Sequence, residues 1–220
     1  MSLKKSLSAR NTADSSIKMI MLFSKDLELR ERYINFFGAL RLGKLLEDLD
    51  LIAGQVAYKH TEGWERGLTI VTAACDRIDL LGDLRSDRDL QFLASINWVG
   101  KSSLEVGIRI SSKEDRNWKR VARAYFIMVA RHEGKAKTVN SFEPVTNEEK
   151  RRFQQGELRQ QQRRVIAQTS YLLNTPTAEE SKVLHDLFNF RVGSFTCWQR
   201  FIQQHKYFFF KFSNLVSIGI

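Results

Sequence analysis

The amino-acid sequence predicts an α+β domain in which a curved antiparallel sheet wraps around one long helix. Apolar residues recur at helical spacing from Leu42 to Tyr58, which predicts an amphipathic helix. Strand-like alternation follows in Leu90 to Trp98 and again in Leu104 to Ile110, and the short turn between them predicts a hairpin. A helix followed by adjacent antiparallel strands can bury its apolar stripe against them.

The other elements are predicted in chain order around this unit. Ile17 to Phe23 is a short apolar run that fits a strand, and Asp26 to Arg32 has helical character. Leu68 to Leu80 is rich in β-branched residues. Val121 to Ala130 is apolar on both faces, as expected of a buried central strand. The polar residues from Ser111 to Lys119 are expected to form a loop.

The sequence changes character beyond Gly134. Residues Asn147 to Gln168 are strongly polar and basic, which predicts a solvated helix or a linker. Thr177 and Glu180 have the spacing of a capping box, so a further helix is expected to begin there.

Composition and charge limit the function classes. Of 220 residues, 43% are apolar, which excludes a wholly disordered or collagen-like chain. The net charge of +10 favours a polyanionic partner: nucleic acid, an anionic membrane or a phosphate-bearing small molecule. Two cysteines, Cys75 and Cys197, are too few for a disulfide framework and indicate a reducing compartment. No apolar run reaches the roughly 20 residues of a membrane span.

The predicted long helix carries one acid in a suggestive position. A helical projection places Asp50 at the edge of the apolar stripe, with Gly43 and Gly54 on the same flank and Asp48 on the far side. Glycines there leave room for a ligand, and the like charge of Glu47 would raise the proton affinity of Asp50. The alternative is a solvated acid beside packing glycines.

Several blocks of the sequence resemble the acyl-coenzyme A thioesterase 9 class of hotdog-fold thioesterases. The segment Asn35 to Asp50 fits the pattern N-x-x-G-x-x-x-x-G-x-x-x-x-x-x-D of hotdog acyl-CoA thioesterases. Further blocks follow collinearly between about Lys25 and Phe188: RLGKLLEDLDLIAGQVAYKH, IVTAACDRIDLL, INWVGKSSLEV, FIMVAR, FQQGELRQQQRR and TAEESKVLHDLF.

The resemblance implies a hotdog fold, a mitochondrial matrix location and hydrolysis of fatty acyl-CoA to free fatty acid and CoA. It also implies two hotdog domains in one chain, whereas this sequence matches only the first and its connecting segment, so a truncated form is expected. The expected organisation is a flexible arm at 1–16, a hotdog domain at 17–140, a basic linker and helix at 141–190, and a poorly ordered non-family tail at 191–220 that does not join the core.

The resemblance also assigns catalytic roles. Asp50 is the expected base that activates water, and Asn35 is expected to orient that water or to polarise the thioester carbonyl. For Asn35 the alternative is an ordinary turn asparagine. Backbone N–H groups near Gly43 and Lys44, at the start of the helix, suit the oxyanion.

Substrate contacts are expected at Gly54, Lys101, Ser102 and Ser103. Lys101 would meet a phosphate of CoA, and its alternative is a solvated hairpin lysine. His60 is expected to cap the end of the long helix electrostatically. No metal or other cofactor is implied.

Partners and competing functions follow from the same reasoning. In this fold the two catalytic groups usually come from different hotdog units, so a homo-oligomer or pairing with a second hotdog unit is expected. A second hypothesis is an inactive hotdog half that binds or supports another half. A third is nucleic-acid binding through the basic residues 150–164, which is disfavoured because no aromatic residues are interleaved with them.

Overall fold

The computed structural model describes residues 7–168 and 175–189 of the chain. These residues form two units, which divide after Glu157 inside a long helix. The tail at 191–220, which was expected to be poorly ordered and not to join the core, lies outside the described residues.

Five helices and six strands make up the described part. The helices are α1 (Thr12–Ser15), α2 (Leu27–Glu31), α3 (Leu42–Thr61), α4 (Asn147–Gln168) and α5 (Ala178–Asn189). The strands are β1 (Ile17–Met21), β2 (Thr69–Leu80), β3 (Leu90–Val99), β4 (Ser103–Glu114), β5 (Asn117–His132) and β6 (Lys135–Ala136).

All six strands join one antiparallel sheet in the order β1-β3-β4-β5-β2, with β6 paired to β5. The predicted hairpin is confirmed, since Ile96 of β3 lies opposite Val106 of β4. Val106 in turn lies opposite Phe126 of β5, which has β4 on one side and β2 on the other. β5 is therefore the buried central strand that its apolar sequence predicts, whereas β1 and β2 are the edge strands of this path.

Helix α3 packs lengthwise on one face of this sheet and contacts β2 through β5. Its buried stripe comprises Leu45, Leu49, Ile52, Ala53, Val56 and Ala57, each at most 3% exposed. Side chains at this spacing lie on one face of a helix, so they meet the inward-facing residues of β3, β4 and β5 in one core. The prediction of a long helix against an antiparallel sheet is confirmed.

The prediction of a loop from Ser111 to Lys119 is wrong. β4 continues to Glu114 and β5 starts at Asn117, with Asp115 at φ +51° in a tight turn between them. Residues of this extension pair across the hairpin, including Glu114 opposite Asn117. These residues are polar because the strand ends extend beyond the core into solvent. Solvent-exposed strands and loops are both polar, so composition alone does not distinguish them.

The segment expected to be a flexible arm contains ordered structure that the sequence analysis missed. Asn11 caps α1, and Ser15 is fully buried. The backbone of Arg10 pairs with Ser141 and Glu143. Its guanidinium donates to the carbonyl of Lys59 at 2.8 Å and forms an ion pair with Glu62, at the end of α3. Residues 10–15 are thus tied to the end of the central helix.

The C-terminal elements agree with their sequence signals. Residues 147–168 form a helix, which decides between the two interpretations of that polar segment. The capping box before α5 is present, because the Glu180 carboxylate accepts from the Thr177 N–H at 3.0 Å and the Glu180 N–H donates to the Thr177 hydroxyl at 3.3 Å.

Candidate active site

Asp50 is held between the central helix and an edge strand. It lies half-buried in the middle of α3, and its carboxylate accepts a hydrogen bond of 2.6 Å from the hydroxyl of Thr72 on β2. The Thr72 hydroxyl also lies 3.6 Å from the sulfur of Met128 on β5. Sequence analysis did not identify Thr72, whose one signal is its place in the β-rich block that follows the helix. The contact orients the carboxylate while leaving it accessible from the edge of the sheet.

Cys75 is the other reactive side chain near Asp50, and its environment makes it a poor nucleophile. It is half-buried on β2. Burial, assisted by the negative charges of Asp76 and Asp50, raises the pKa of the Cys75 thiol. The thiol therefore stays protonated at neutral pH, and the thiolate is the nucleophilic form.

The glycines that flank Asp50 face open space. A Cβ atom built on Gly43 or on Gly54 would meet no heavy atom within 4 Å among the described residues beyond the neighbouring helix backbone. Neither glycine is therefore required for packing in the described structure, so the packing alternative fails for both. The flank of α3 beside Asp50 is open to a ligand or to another chain.

The start of α3 offers uncapped backbone donors. The N-cap residue Arg41 makes no side-chain hydrogen bond to the first turn. Lys44 and Glu47 form an exposed ion pair at 2.8 Å, so the Glu47 carboxylate is engaged there. The N–H groups near Gly43 and Lys44 point along the helix axis, where the helix dipole favours negative charge. At a rise of 1.5 Å per residue, Gly43 lies about 10 Å from Asp50 along the helix.

Asn35 holds an exposed turn ahead of α3. Its side-chain oxygen accepts from the N–H groups of Phe37 at 2.9 Å and Ala39 at 3.0 Å. The turn-asparagine interpretation therefore describes its oxygen, whereas its amide N–H₂ makes no hydrogen bond within the described chain. The turn projects Phe36 and Phe37 outward, 98% and 87% exposed.

The Lys101–Ser103 segment forms the turn between β3 and β4. Its backbone is well tied down: the Ser102 carbonyl accepts from Ala130 at 2.9 Å and the Lys101 carbonyl from Val139 at 3.0 Å. Ser103 lies in the same row of the sheet as Val71, with β5 between them. The backbones of Ser103 and Val71 are two strand spacings of about 4.8 Å apart, which is roughly 10 Å in all. The turn and the Asp50–Thr72 pair thus lie toward the same end of the sheet, and the Lys101 side chain is exposed.

The sequence of the chain is similar to those of known thioesterases. A profile of the thioesterase superfamily matches residues 37–119. The chain is 34% identical to the protein VdlD of Helicobacter pylori over 54% of this chain and 67% of that protein. It is also 36% identical to the mitochondrial acyl-coenzyme A thioesterase 9 of Bos taurus, over 84% of this chain and 44% of that protein. The chain belongs to the thioesterase superfamily.

Solved structures of thioesterases agree with this assignment. A crystal structure described as an apo-hexameric acyl-CoA thioesterase superposes with a TM-score of 0.63 at 26% identity, over 73% of this chain and 97% of that one. The hotdog fold is confirmed. The chain spans less than half the length of its bovine thioesterase relative. Within the described residues, no helix is both long and apolar enough to cross a membrane.

The superfamily match contains most of the residues that the sequence analysis singled out. Asp50, both flanking glycines and the Lys101–Ser103 turn lie within residues 37–119, while Asn35 precedes this range by two positions. Thr72, which sequence analysis missed, also lies within it.

A second carboxylate of α3, that of Asp48, has a structural role that the helical projection missed. The hydroxyl of Tyr33 donates to Asp48 at 2.6 Å, and burial together with Asp48 raises the pKa of Tyr33 well above its usual value. The Arg41 N–H donates to the Tyr33 carbonyl at 2.6 Å. These bonds fix the segment that carries Asn35 against α3.

The expected electrostatic cap by His60 is wrong. His60 is fully buried in the last turn of α3, and its Nε2 lies 3.1 Å from the carbonyl oxygen of Asn140. Burial lowers the pKa of His60, so the ring is neutral at pH 7. Arg10, which donates to the Lys59 carbonyl, supplies the positive charge at this helix end.

Proposed function

We propose that the chain hydrolyses fatty acyl-CoA thioesters to free fatty acid and CoA, with Asp50 as the base that activates water. The observation that carries this proposal is a half-buried carboxylate, oriented by Thr72 at 2.6 Å and flanked by an open surface on its own helix. A positioned carboxylate is a suitable general base. The relative and the solved structure that are named acyl-CoA thioesterases support the substrate class.

The reaction follows from these positions. Asp50 takes a proton from water as the water oxygen bonds to the thioester carbonyl carbon. The carbonyl oxygen becomes an oxyanion, which N–H groups near Gly43 and Lys44 would stabilise. When the tetrahedral intermediate collapses, the carbon–sulfur bond breaks and the CoA sulfur takes the proton from Asp50. Because both lone pairs of the Asn35 oxygen serve its own turn, Asn35 would act as a donor that polarises the carbonyl.

One chain alone does not bring these groups together. The oxyanion donors must lie about 3 Å from the carbonyl oxygen, and Asp50 must lie about 3 Å from a water that itself contacts the carbonyl carbon. Asp50 and the start of its own helix are about 10 Å apart, which is longer than this bent chain of contacts. We therefore place the complete site between two hotdog units, which are two copies of this chain or this chain and a second hotdog domain. Such a partner would cover the edge of β2 beside Asp50, which pairs with no other strand among the described residues, and the exposed Phe36 and Phe37.

Contacts to CoA are assigned to the turn near the same end of the sheet. Lys101 would pair with a phosphate, and Ser102 and Ser103 would add hydrogen bonds beside it. Gly54 keeps space open on the flank of α3 where the acyl-thioester would pass. The mitochondrial names of the relatives support a mitochondrial location. Within the organelle we propose the matrix.

Asp50→Asn tests the proposal. The exchange removes the base and keeps the shape, so turnover should fall by roughly 10²–10⁴-fold. The matched control is Glu47→Gln, an acid-to-amide exchange three residues earlier on the same helix at an exposed site. Thiol release from acyl-CoA is followed on the full chain, at a mass in solution that is measured for each variant. Equal losses in both variants, or an unchanged Asp50→Asn, would remove Asp50 from the mechanism.

A second candidate is an inactive half that requires another hotdog domain. It is favoured by the separation of about 10 Å between Asp50 and the start of its own helix. A homogeneous oligomer of the wild-type chain that binds CoA without releasing thiol would support this candidate over the first.

A further inference from the structure

A cavity of about 240 Å³ lies where β1, β3 and β4 meet the first half of α4. Three cationic side chains line it, Lys18, Arg109 and Arg152, and no carboxylate of the described residues does. Three hydroxyl groups complete its polar wall, from Thr12, Ser16 and Ser95. We propose that this cavity binds the phosphate group of a small molecule.

Arg152 is the central observation. Its Nη1 donates to the hydroxyl of Ser95 at 3.2 Å, which fixes the guanidinium over β3. Its Nε is buried and has no hydrogen-bond acceptor among the described residues. Buried donors in proteins are nearly always paired, so the cavity lacks an acceptor at this position. A phosphate oxygen is the acceptor that an arginine fork fits best.

Lys18 and Arg109 extend the positive charge across the sheet. In the register of the strands, Lys18 lies opposite Leu93, and Leu93 lies opposite Arg109. Residues directly opposite each other in antiparallel strands share a face, so both cations lie on the side of the sheet that α4 covers. They flank an apolar residue, which provides a surface for the organic part of a ligand.

Nearby carboxylates compensate only part of this charge. Glu148 of α4 lies 3.5 Å from Arg109. The next acid, Glu149, accepts from the N–H groups of Val145 and Thr146 at 2.8 Å each, and it also interacts with the hydroxyl of the wall residue Thr12, so its charge lies at the margin of the cavity. Within the described chain, neither Lys18 nor Arg152 has an ion-pair partner. The cavity therefore favours a dianion, as a phosphate monoester is at neutral pH, over a single carboxylate.

The volume limits the rest of the ligand. Pockets for drug-sized molecules are typically about 300–1,000 Å³, so a cavity just below that range takes a phosphate with a small organic body.

This cavity is separate from the surface around Asp50. Thr72 lies on edge strand β2 and shares a row with Met128 and Leu104, whereas the cavity lies at the opposite edge of the sheet, at β1. Leu104 and Arg109 are five residues apart on β4, so they point to opposite faces. A phosphate in the cavity would therefore not compete directly with a thioester at Asp50.

The test measures binding of inorganic phosphate and of adenosine monophosphate to the full chain by calorimetry at constant ionic strength. Arg152→Gln should weaken phosphate binding about tenfold or more, as expected for one lost charge-assisted pair. Lys18→Gln, at an exposed position that does not endanger folding, should also weaken it. Arg116→Gln removes the same charge in the β4–β5 turn, and it should bind phosphate as the wild type does.

The ligand series separates the sources of the phosphate. Equal affinities for inorganic phosphate and the nucleotide would indicate free phosphate, whereas a tighter nucleotide complex would indicate a phosphate monoester. Adenosine, which has no phosphate, should not bind at this site. The proposal is overturned by an absence of saturable phosphate binding, by adenosine binding as tightly as the nucleotide, or by equal effects of the Lys18 and Arg116 exchanges.

Discussion

Replacing Tyr33 with phenylalanine should destabilise the fold by an amount that one hydrogen bond sets. The hydroxyl donates to the Asp48 carboxylate at 2.6 Å, and the Tyr33 ring is 5% exposed and packs on Phe23 at 5.1 Å between centroids. Tyr33→Phe keeps the ring packing and removes one charge-assisted bond. Such bonds contribute about 1.5–3 kcal/mol, and because water can reach the half-buried Asp48 we expect a loss near the lower end, about 1.5 kcal/mol.

The assay is urea unfolding of the full chain, with the dependence on denaturant compared among variants. Tyr58→Phe is the control, because its hydroxyl accepts a neutral bond of 3.2 Å from the Ile70 N–H and should contribute only about 0.5–1 kcal/mol. In a double-mutant cycle with Asp48→Asn, the two losses should be non-additive by about 1 kcal/mol. A Tyr33→Phe loss below that of Tyr58→Phe, or strictly additive losses, would refute the assignment of the bond.

Three further outcomes are expected. Burial lowers the pKa of His60, the hydrogen bond with the Asn140 carbonyl opposes it in part, and the charges of Arg10 and Asp14 have smaller effects that lower and raise the pKa respectively. At acidic pH the unfolded chain therefore binds more protons than the folded chain does. The contribution of His60 to the free energy of unfolding is complete above the ordinary histidine pKa of about 6.5 and is lost as the pH falls below it. Unfolding measured from about pH 5 to 8 should show this decline, and His60→Gln should lack it. Gly107→Ala places a Cβ that overlaps the amide of Asn97, whose Cγ would lie 2.8 Å away, so it should cost about 1–3 kcal/mol in chemical unfolding, and less in an Asn97→Ala background. Thr72→Val removes the donor to Asp50 and should lower kcat by about ten- to hundredfold with little change in KM, whereas Thr72→Ser should retain most of the rate.

The parts of the fold that could be predicted are those that local periodicity encodes. The stripe from Leu42 onward defines α3, and the alternation on either side of Gly100 defines the β3–β4 hairpin. The capping signal before α5 is equally local. The β4–β5 turn was missed because polar residues at exposed strand ends have the composition of a loop.

The site could be predicted only in part, for a related physical reason. Asp50 and its neighbouring glycines lie on one helix, so helical geometry alone places them together. Thr72 comes 22 residues later on an edge strand, and its contact with Asp50 depends on how helix and sheet pack. The role of Arg152 likewise depends on the packing of α4 on β3, where it meets Ser95. In the sequence Arg152 is only one basic residue in a polar segment.

The ties made by Arg10 have a consequence for synthesis of the chain. Arg10 pairs with Ser141 and Glu143, about 130 residues later, so on a ribosome that adds about 5–20 residues per second its partners appear roughly 7–26 seconds after it. During that interval α3 can form, but the carbonyl of Lys59 and the carboxylate of Glu62 still lack the arginine arranged by those partners. Closure of residues 10–15 onto the end of the central helix is thus a late event of translation, and a nascent chain stalled before residue 141 would leave these residues accessible to proteases and chaperones.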